Sequence, residues 1–327
     1  MPSPADATGL RSTDVVLAVE RLRAGGLVAV PTETVYGLAA DADRREAVAR
    51  VFAVKGRPAD HPLIVHVAGV DRLDGWVAGL GEPARRLAAA CWPGPLTMLL
   101  PRGPRVHDLI TGGRPSVAVR APSHPMTAEL LERFGGAVVA PSANRFGHVS
   151  PTSAEHVLDD LADRLDPTRD LVLDGGPCPI GVESTIVDLT VEPPQVLRAG
   201  AIDADDIRRL LAGPVADAAG PSRASGMLES HYAPRCTVVL ADTRDGAIRA
   251  AEAWRARGHR AEVLDRTDDL VIAARELYRD LRAADRAGLD AIVVVVPPPD
   301  GIGIALRDRL TKAAAGGDRP GGTSRAD

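Results

Sequence analysis

Lysine and asparagine are almost missing from this chain of 327 residues. It has two lysines, Lys55 and Lys312, against 37 arginines, and a single asparagine, Asn144. Where the composition drifts toward arginine for any generic cation, a lysine or asparagine that persists is a better functional candidate than usual. Other absences exclude whole classes. No apolar run reaches the roughly 18 residues of a membrane span. Met1 to Asp14 has neither a basic start nor an apolar block, so no export signal is expected. The cysteines Cys91, Cys178 and Cys236 are far apart and form no CxxC pair, which argues against a zinc site or disulfide framework and fits a reducing cytoplasm. There is no P-loop pattern, no HExxH and no GxSxG elbow, so neither a Walker-type nucleotide site nor serine-hydrolase chemistry is supported. Nine aromatics and a net charge of −5 give no electrostatic case for non-specific nucleic-acid binding.

What is present describes a globular α/β chain. Apolar residues make up 45% and charged residues 25%, ordinary for a soluble protein, and the length predicts about two domains. Ser12 to Ala24 reads as a helix, with capping types at its start and Gly25-Gly26 at its end. A β-type run, Leu27 to Val30, follows, then a helix over Arg44 to Val54. Further β-type runs are Leu63–Val67, Leu96–Leu100, Ser116–Arg120, Ala137–Ala140, Leu171–Leu173, Ser184–Leu189 and Gln195–Leu197, with helical patterns between several of them. This order predicts a mixed sheet in residues 10–211. Gly, Pro and Ser crowd the stretch 212–235, which reads as a linker. A β-α-β-α-β-α order in residues 236–315 predicts a small parallel three-layer domain of Rossmann-like type. Residues 316–327 read as a disordered tail. Gly301-Ile302-Gly303 follows a strand but lacks the rest of a dinucleotide fingerprint and reads as a tight turn.

Three polar clusters sit beside predicted strands. Pro31-Thr32-Glu33-Thr34-Val35-Tyr36 gathers three hydroxyls and a carboxylate after the first β-type run; the alternative is a polar turn that caps a helix. Lys55-Gly56-Arg57 offers a point charge and a forked donor suited to a phosphate chain, or simply two cations at a helix C-terminus. Ser142 and Asn144, two apart in an extended turn, would face one way and could donate to phosphate oxygens; the alternative is an Asx-type turn. Arg120 and Arg198 each close a β-type run, where they could clamp a carboxylate or phosphate or lie at the surface. His66, inside an apolar strand, reads more simply as a core histidine.

Taken in order, the blocks PTETVYGLAADA, KGRPADHPLIVHV, WPGPLTMLL, SVAVRAP, APSAN, SPTSAEHV, GVESTIVD and VLRAG resemble the YrdC-like family of L-threonylcarbamoyladenylate synthases. The segment from Ser225 to Pro234 and the second domain resemble the long, two-domain form. The resemblance implies an α/β sheet twisted around a positively charged cavity, with the linker closing over it. It implies a nucleotidyltransferase that makes threonylcarbamoyl-AMP and pyrophosphate from L-threonine, bicarbonate or CO2, and ATP, for threonylcarbamoyladenosine in tRNA. Lys55, Arg57, Ser142 and Asn144 match the positions that carry the reaction, and Ser116, Ser150, Arg198, His231 and Tyr232 lend further ATP contacts. His61 stands where the family often has Asn, which puts a nucleotide contact there in question; Ser225 likewise replaces a Pro in the linker. Thr34, His66, Arg120, Ala140 and Ser184 match the L-threonine pocket. Mg²⁺ is expected with the ATP phosphates rather than on direct protein ligands. The implied partner is the threonylcarbamoyl-transferase machinery, with at most a weak contact to tRNA and none to a membrane. Two rival expectations are a double-stranded-RNA-binding module without turnover and a related carbamoyl-transfer enzyme.

Overall fold

A computed structural model describes residues 9–219 and 232–316. His231, Ser225 and residues 317–327 lie outside the described residues. The chain divides into two compact units, one of Met1–Phe146 with Ser150–Met227, the other of Gly147–Val149 with Leu228–Asp327.

In chain order the first unit runs β1 (Arg11–Ser12), α1 (Val15–Arg23), β2 (Val28–Val30), β3 (Gly37–Asp41), α2 (Arg45–Lys55), β4 (Ile64–His66), α3 (Glu82–Cys91), β5 (Leu96–Pro101), α4 (Asp108–Thr111), β6 (Ser116–Arg120), α5 (Pro125–Phe134), β7 (Val138–Val139), α6 (Ala154–Leu161), β8 (Leu171–Leu173), β9 (Thr185–Asp188), β10 (Gln195–Arg198), α7 (Ala204–Leu211) and β11 (Ala216–Asp217). The strands form one mixed sheet in the order β1-β8-β2-β3-β7-β4-β6-β5-β9-β10-β11. Strand β3, made of Gly37-Leu38-Ala39-Ala40-Asp41, carries no β-branched residue, which is why its composition does not announce it. Pairing also reaches into the stretch read as linker, where β11 joins β10 in parallel.

Alternation along the strands gives the two faces different fates. Leu38, Val65, Met98, Val117, Val119, Val139 and Val187 point to the main core, filled from the helices by Val51, Leu87, Leu161 and Ile207. On the other face, Val28, Val30, Ala39, Val138 and Leu171 are covered by Val19 and Leu22 of α1 and Leu130 and Leu131 of α5. The rest of that face carries a separate cluster, Ile64, Leu99, Ala118, Ile186 and Leu197, built from strand residues alone. This stretch of sheet, across β4, β6, β5, β9 and β10, is the floor of the candidate site.

The second unit contains β12 (Thr237–Ala241), α8 (Arg244–Ala256), β13 (Ala261–Leu264), α9 (Leu270–Arg286), β14 (Ala291–Val295) and α10 (Ile302–Ala315). Its sheet is fully parallel with β14 central, in the order β12-β14-β13. Gly301 caps the start of α10, and a Cβ on Gly303 would fall 2.1 Å from the Pro298 carbonyl, so this GxG serves a close turn. Tyr232 is buried in this unit, its ring stacked on Tyr278 at 5.7 Å with the Arg309 guanidinium 5.3 Å from its centroid.

One buried carboxylate ties the first unit's layers together. Asp170 is fully buried; it accepts from the Leu27 N–H at 2.8 Å, the Asp166 N–H at 2.9 Å, and Arg50 of α2 at 3.0 and 2.8 Å. Removing it strands two backbone donors and most of a guanidinium, so Asp170→Ala should cost about 3 kcal/mol of unfolding free energy, read from urea denaturation.

Candidate functional site

The turn Pro31–Tyr36 is the hub of the site. Thr32 Oγ1 donates to the Val35 carbonyl at 2.6 Å and accepts from the Thr34 and Val35 N–H groups, a hydroxyl-closed turn that leaves Glu33 and Thr34 pointing inward. The turn is stitched to three distant segments through backbone. Ala143 N–H donates to Tyr36 O at 2.8 Å, Tyr36 N–H to Pro151 O at 2.8 Å, and Ile180 N–H to Glu33 O at 2.9 Å. Arg120, at the end of β6, completes the lock. It donates to Glu33 Oε1 at 2.6 Å, to Thr34 Oγ1 at 2.9 Å and to Gly94 O at 3.2 Å, and both ions of the Glu33 pair are at least nine-tenths buried. A buried pair of this kind is costly to expose one-sidedly and therefore fixes geometry.

Lys55 and the 142–144 loop form the second group. Gly56 ends α2 in the left-handed region, φ 62°, which turns the chain so that Lys55 and Arg57 leave the helix in different directions. The Lys55 ammonium is buried and donates to the carbonyls of Ser142 and Asn144, the latter at 2.5 Å, with Asn144 Oδ1 at 3.5 Å. Its three protons are thus directed at the loop. Burial, then the nearby Arg57 charge, push its pKa well below the ordinary 10.5. Arg57 donates to Pro62 O at 2.9 Å and lies 5.6 Å from the centroid of Phe146, against whose ring His61 also packs, edge-on at 5.2 Å.

The third group occupies the stretch of this sheet face that α1 and α5 do not pack on, and its residues are buried. The register sets His66 opposite Arg120, Thr97 opposite Ile186, and Arg198 opposite Ile186. His66, Arg120, Thr97 and Arg198 make a polar row bordering the apolar floor of Ile64, Ala118, Leu99 and Ile186. Arg198 donates from Nε to Ser184 O and from Nη2 to Ser184 Oγ, both at 3.0 Å. Ser184 Oγ is also 2.8 Å from Thr97 Oγ1. Gly200 permits the close approach: a Cβ there would fall 2.3 Å from the Thr185 nitrogen. Next to Ser184, buried Glu183 accepts from Ser150 Oγ at 2.6 Å. Ser116 lies on the same face as Arg120 and Ala118, but at the opposite end of β6, about 13 Å from Arg120 at the rise of a strand. Ala140 donates its N–H to Ile64 O at 3.1 Å, and its methyl group belongs to the cluster under α1 and α5.

The structure therefore brings Thr34 together with Arg120, Lys55 with Ser142 and Asn144, and Ser184 with Arg198, all within the first unit, the first two groups bonded to one turn. Tyr232 belongs to the second unit, and His231 lies outside the described residues. Two site members, Glu183 and Thr97, go unmarked in the sequence reading, and Glu33 stands there only as the carboxylate of the first cluster. Each was inside a quoted block, and Thr97 is the lone hydroxyl of an apolar strand, a signal that could have found it. Among the described residues there is no cluster of three or more His, Cys, Asp or Glu able to hold a metal, and no helix long and apolar enough to cross a membrane.

A sheet face with an apolar floor, bordered by buried guanidinium and hydroxyl groups, has the donors suited to a small anionic ligand. Comparison with known proteins narrows this class. Residues 20–200 match the Sua5/YciO/YrdC family model, described as telomere recombination, and residues 202–315 match the model of the threonylcarbamoyl-AMP synthase C-terminal domain. The threonylcarbamoyl-AMP synthase of Pyrococcus abyssi is 39% identical, over 91% of this chain and 93% of its own. That of Bacillus subtilis is 35% identical, over 95% and 96%. The crystal structure of P. abyssi Sua5 complexed with L-threonine superposes with a TM-score of 0.87 at 36% identity, covering 94% of this chain and 97% of that one. The chain belongs to the Sua5 family of threonylcarbamoyl-AMP synthases.

Burial, then the Arg120 charge, push the His66 imidazole down to about 3. Unfolded, this group takes a proton near pH 6.5, so between the two values the folded state binds fewer protons. The stability it contributes is complete above about pH 6.5 and is lost progressively as pH falls toward 3. His66→Gln should accordingly flatten the fall in urea midpoint between pH 7 and pH 4; an unchanged slope would show that His66 is not held neutral.

Proposed function

We infer that this protein is an L-threonylcarbamoyladenylate synthase. It joins L-threonine, bicarbonate or CO2, and ATP into threonylcarbamoyl-AMP with release of pyrophosphate, for threonylcarbamoyladenosine modification of tRNA. The observation that carries this is the succession of both family domains along one chain, with synthases of the same name matching over nine-tenths of its length.

The chemistry fits the residues. The amine of threonine adds to CO2 and loses a proton, giving a carbamate. A carbamate oxygen attacks the α-phosphorus of ATP, and the bond to the bridging oxygen breaks as pyrophosphate leaves. No protein nucleophile is required, in keeping with a site of cations and hydroxyls. In this reading Thr34, His66, Arg120, Ala140 and Ser184 surround the amino acid. Arg120 meets its carboxylate as a forked cation, already oriented by Glu33. Ser142, Asn144, Ser150, Arg57 and Arg198 serve the nucleotide, with Ser116 and His61 at its periphery. Lys55 contributes from beneath, as a fixed charge that holds the Ser142–Asn144 carbonyls so that the opposite side of the loop presents donors. Preorganised dipoles and cations of this sort stabilise charge that spreads over the phosphate oxygens. Magnesium enters as the counter-ion of ATP: guanidinium, hydroxyl and amide donors suit phosphate oxygens, not a bare cation. A cytoplasmic setting, and handover of the labile mixed anhydride to a threonylcarbamoyl-transferase, complete the proposal.

The test is pyrophosphate release from ATP, measured with threonine and bicarbonate each omitted in turn. Turnover should require both. Arg57→Ala should lower kcat/KM for ATP by about 100-fold, the scale of losing one preorganised charge contact. Release that is indifferent to threonine would refute the assignment.

A further inference from the structure

The two hydroxyls bordering the apolar floor of the sheet are one hydrogen-bond acceptor short. Thr97 and Ser184 are both fully buried, and they bond to each other. Arg198 Nη2 donates to Ser184 Oγ; a guanidinium has no acceptor, so this bond occupies a serine lone pair. Among the described residues, neither hydroxyl has a further hydrogen-bond partner. Two O–H groups share one mutual bond, so one proton has nowhere to go within the protein. Orphaned buried donors are rare in native structures and call for an explanation.

The leftover proton belongs to one of the two residues. Were Ser184 to donate to Thr97, the orphan would be the threonine's, on a strand whose next residue on that face is Leu99 of the apolar floor. With the opposite direction, Ser184 Oγ accepts two bonds, from Arg198 and from Thr97. Both lone pairs are then filled, and the two donated bonds polarise the serine O–H. The surplus proton then sits between the Arg120 end of the polar row and Arg198, where an anionic ligand is electrostatically favoured.

We propose that Thr97 is a positioning residue for the amino-acid substrate: its hydroxyl donates to Ser184 Oγ and makes the Ser184 proton an obligate donor to an anionic oxygen of threonine, in its carboxylate or its carbamate. The inference rests on the synthase reading for the identity of the ligand, while the count of donors and acceptors stands on the fold alone. It gives the lone hydroxyl of β5 a task that packing does not explain, since valine would fill the same volume.

Calorimetric titration of L-threonine, with and without bicarbonate, into wild type, Thr97→Val and Thr97→Ser tests this. Thr97→Val should weaken threonine binding about tenfold, leave ATP binding within about twofold, and be rescued by Thr97→Ser. A loss seen without bicarbonate assigns the bond to the carboxylate, and one seen only with bicarbonate to the carbamate. Equal threonine affinity in wild type and Thr97→Val overturns the proposal. So does a parallel loss of ATP affinity, or a serine variant as weak as the valine one, since either marks a merely structural role. If Thr97→Val does not unfold cooperatively on heating, Thr97→Cys, a weak donor of similar size, carries the same comparison. Absence of threonine binding to the wild type would instead bring down the synthase reading itself.

Discussion

A single buried ammonium sets much of this site. Lys55 is carried inward by the last turn of α2 and gives its protons to the carbonyls of Ser142 and Asn144, eighty-odd residues further on. A charge taken out of water is expensive unless its donors are met. The 142–144 loop meets them only in the conformation it adopts. The cost of moving Lys55 is thus the rigidity of the loop, and Ala143 passes that rigidity on to the turn at Tyr36.

The same economy recurs at Arg120. Its guanidinium is answered by Glu33 from the opposite side of the turn, so a cation and a carboxylate that never approach in sequence hold one another in register. Both cations are oriented by the protein before any ligand arrives, which is what lets fixed charge act on a developing phosphate or carboxylate without reorganisation. Among the donors of the site, compensation is incomplete on the stretch of sheet that α1 and α5 do not cover. There the two hydroxyls of Thr97 and Ser184 hold one more proton than their mutual bond uses, as expected of a site shaped for an anion.

Much of this was legible in the residues themselves. Strand β6 spans Ser116–Arg120 as its β-type run indicates, and Lys55 and Asn144 stand out in a chain with two lysines and one asparagine. Their proximity in space agrees with their being singled out. The direction of Lys55 was not legible: spacing suggests a side chain turned toward phosphate, whereas the carbonyls beneath the loop receive it. Thr97, Glu183 and the partner of Glu33 escaped for a related reason. Each acts on a partner from another strand or loop, and such pairs depend on register, which periodicity within one segment does not reveal. Strand β3 escaped because small residues can be buried in a sheet without a β-branched pattern.

The most direct check uses the scarcity of lysine. Selective ¹⁵N labelling of lysine yields two side-chain signals, one of which disappears in Lys55→Met. If Lys55 is bonded to the loop carbonyls, its ammonium resonance will be shielded from exchange with water at neutral pH. A Lys55 signal exchanging as fast as that of a solvated lysine would contradict the account.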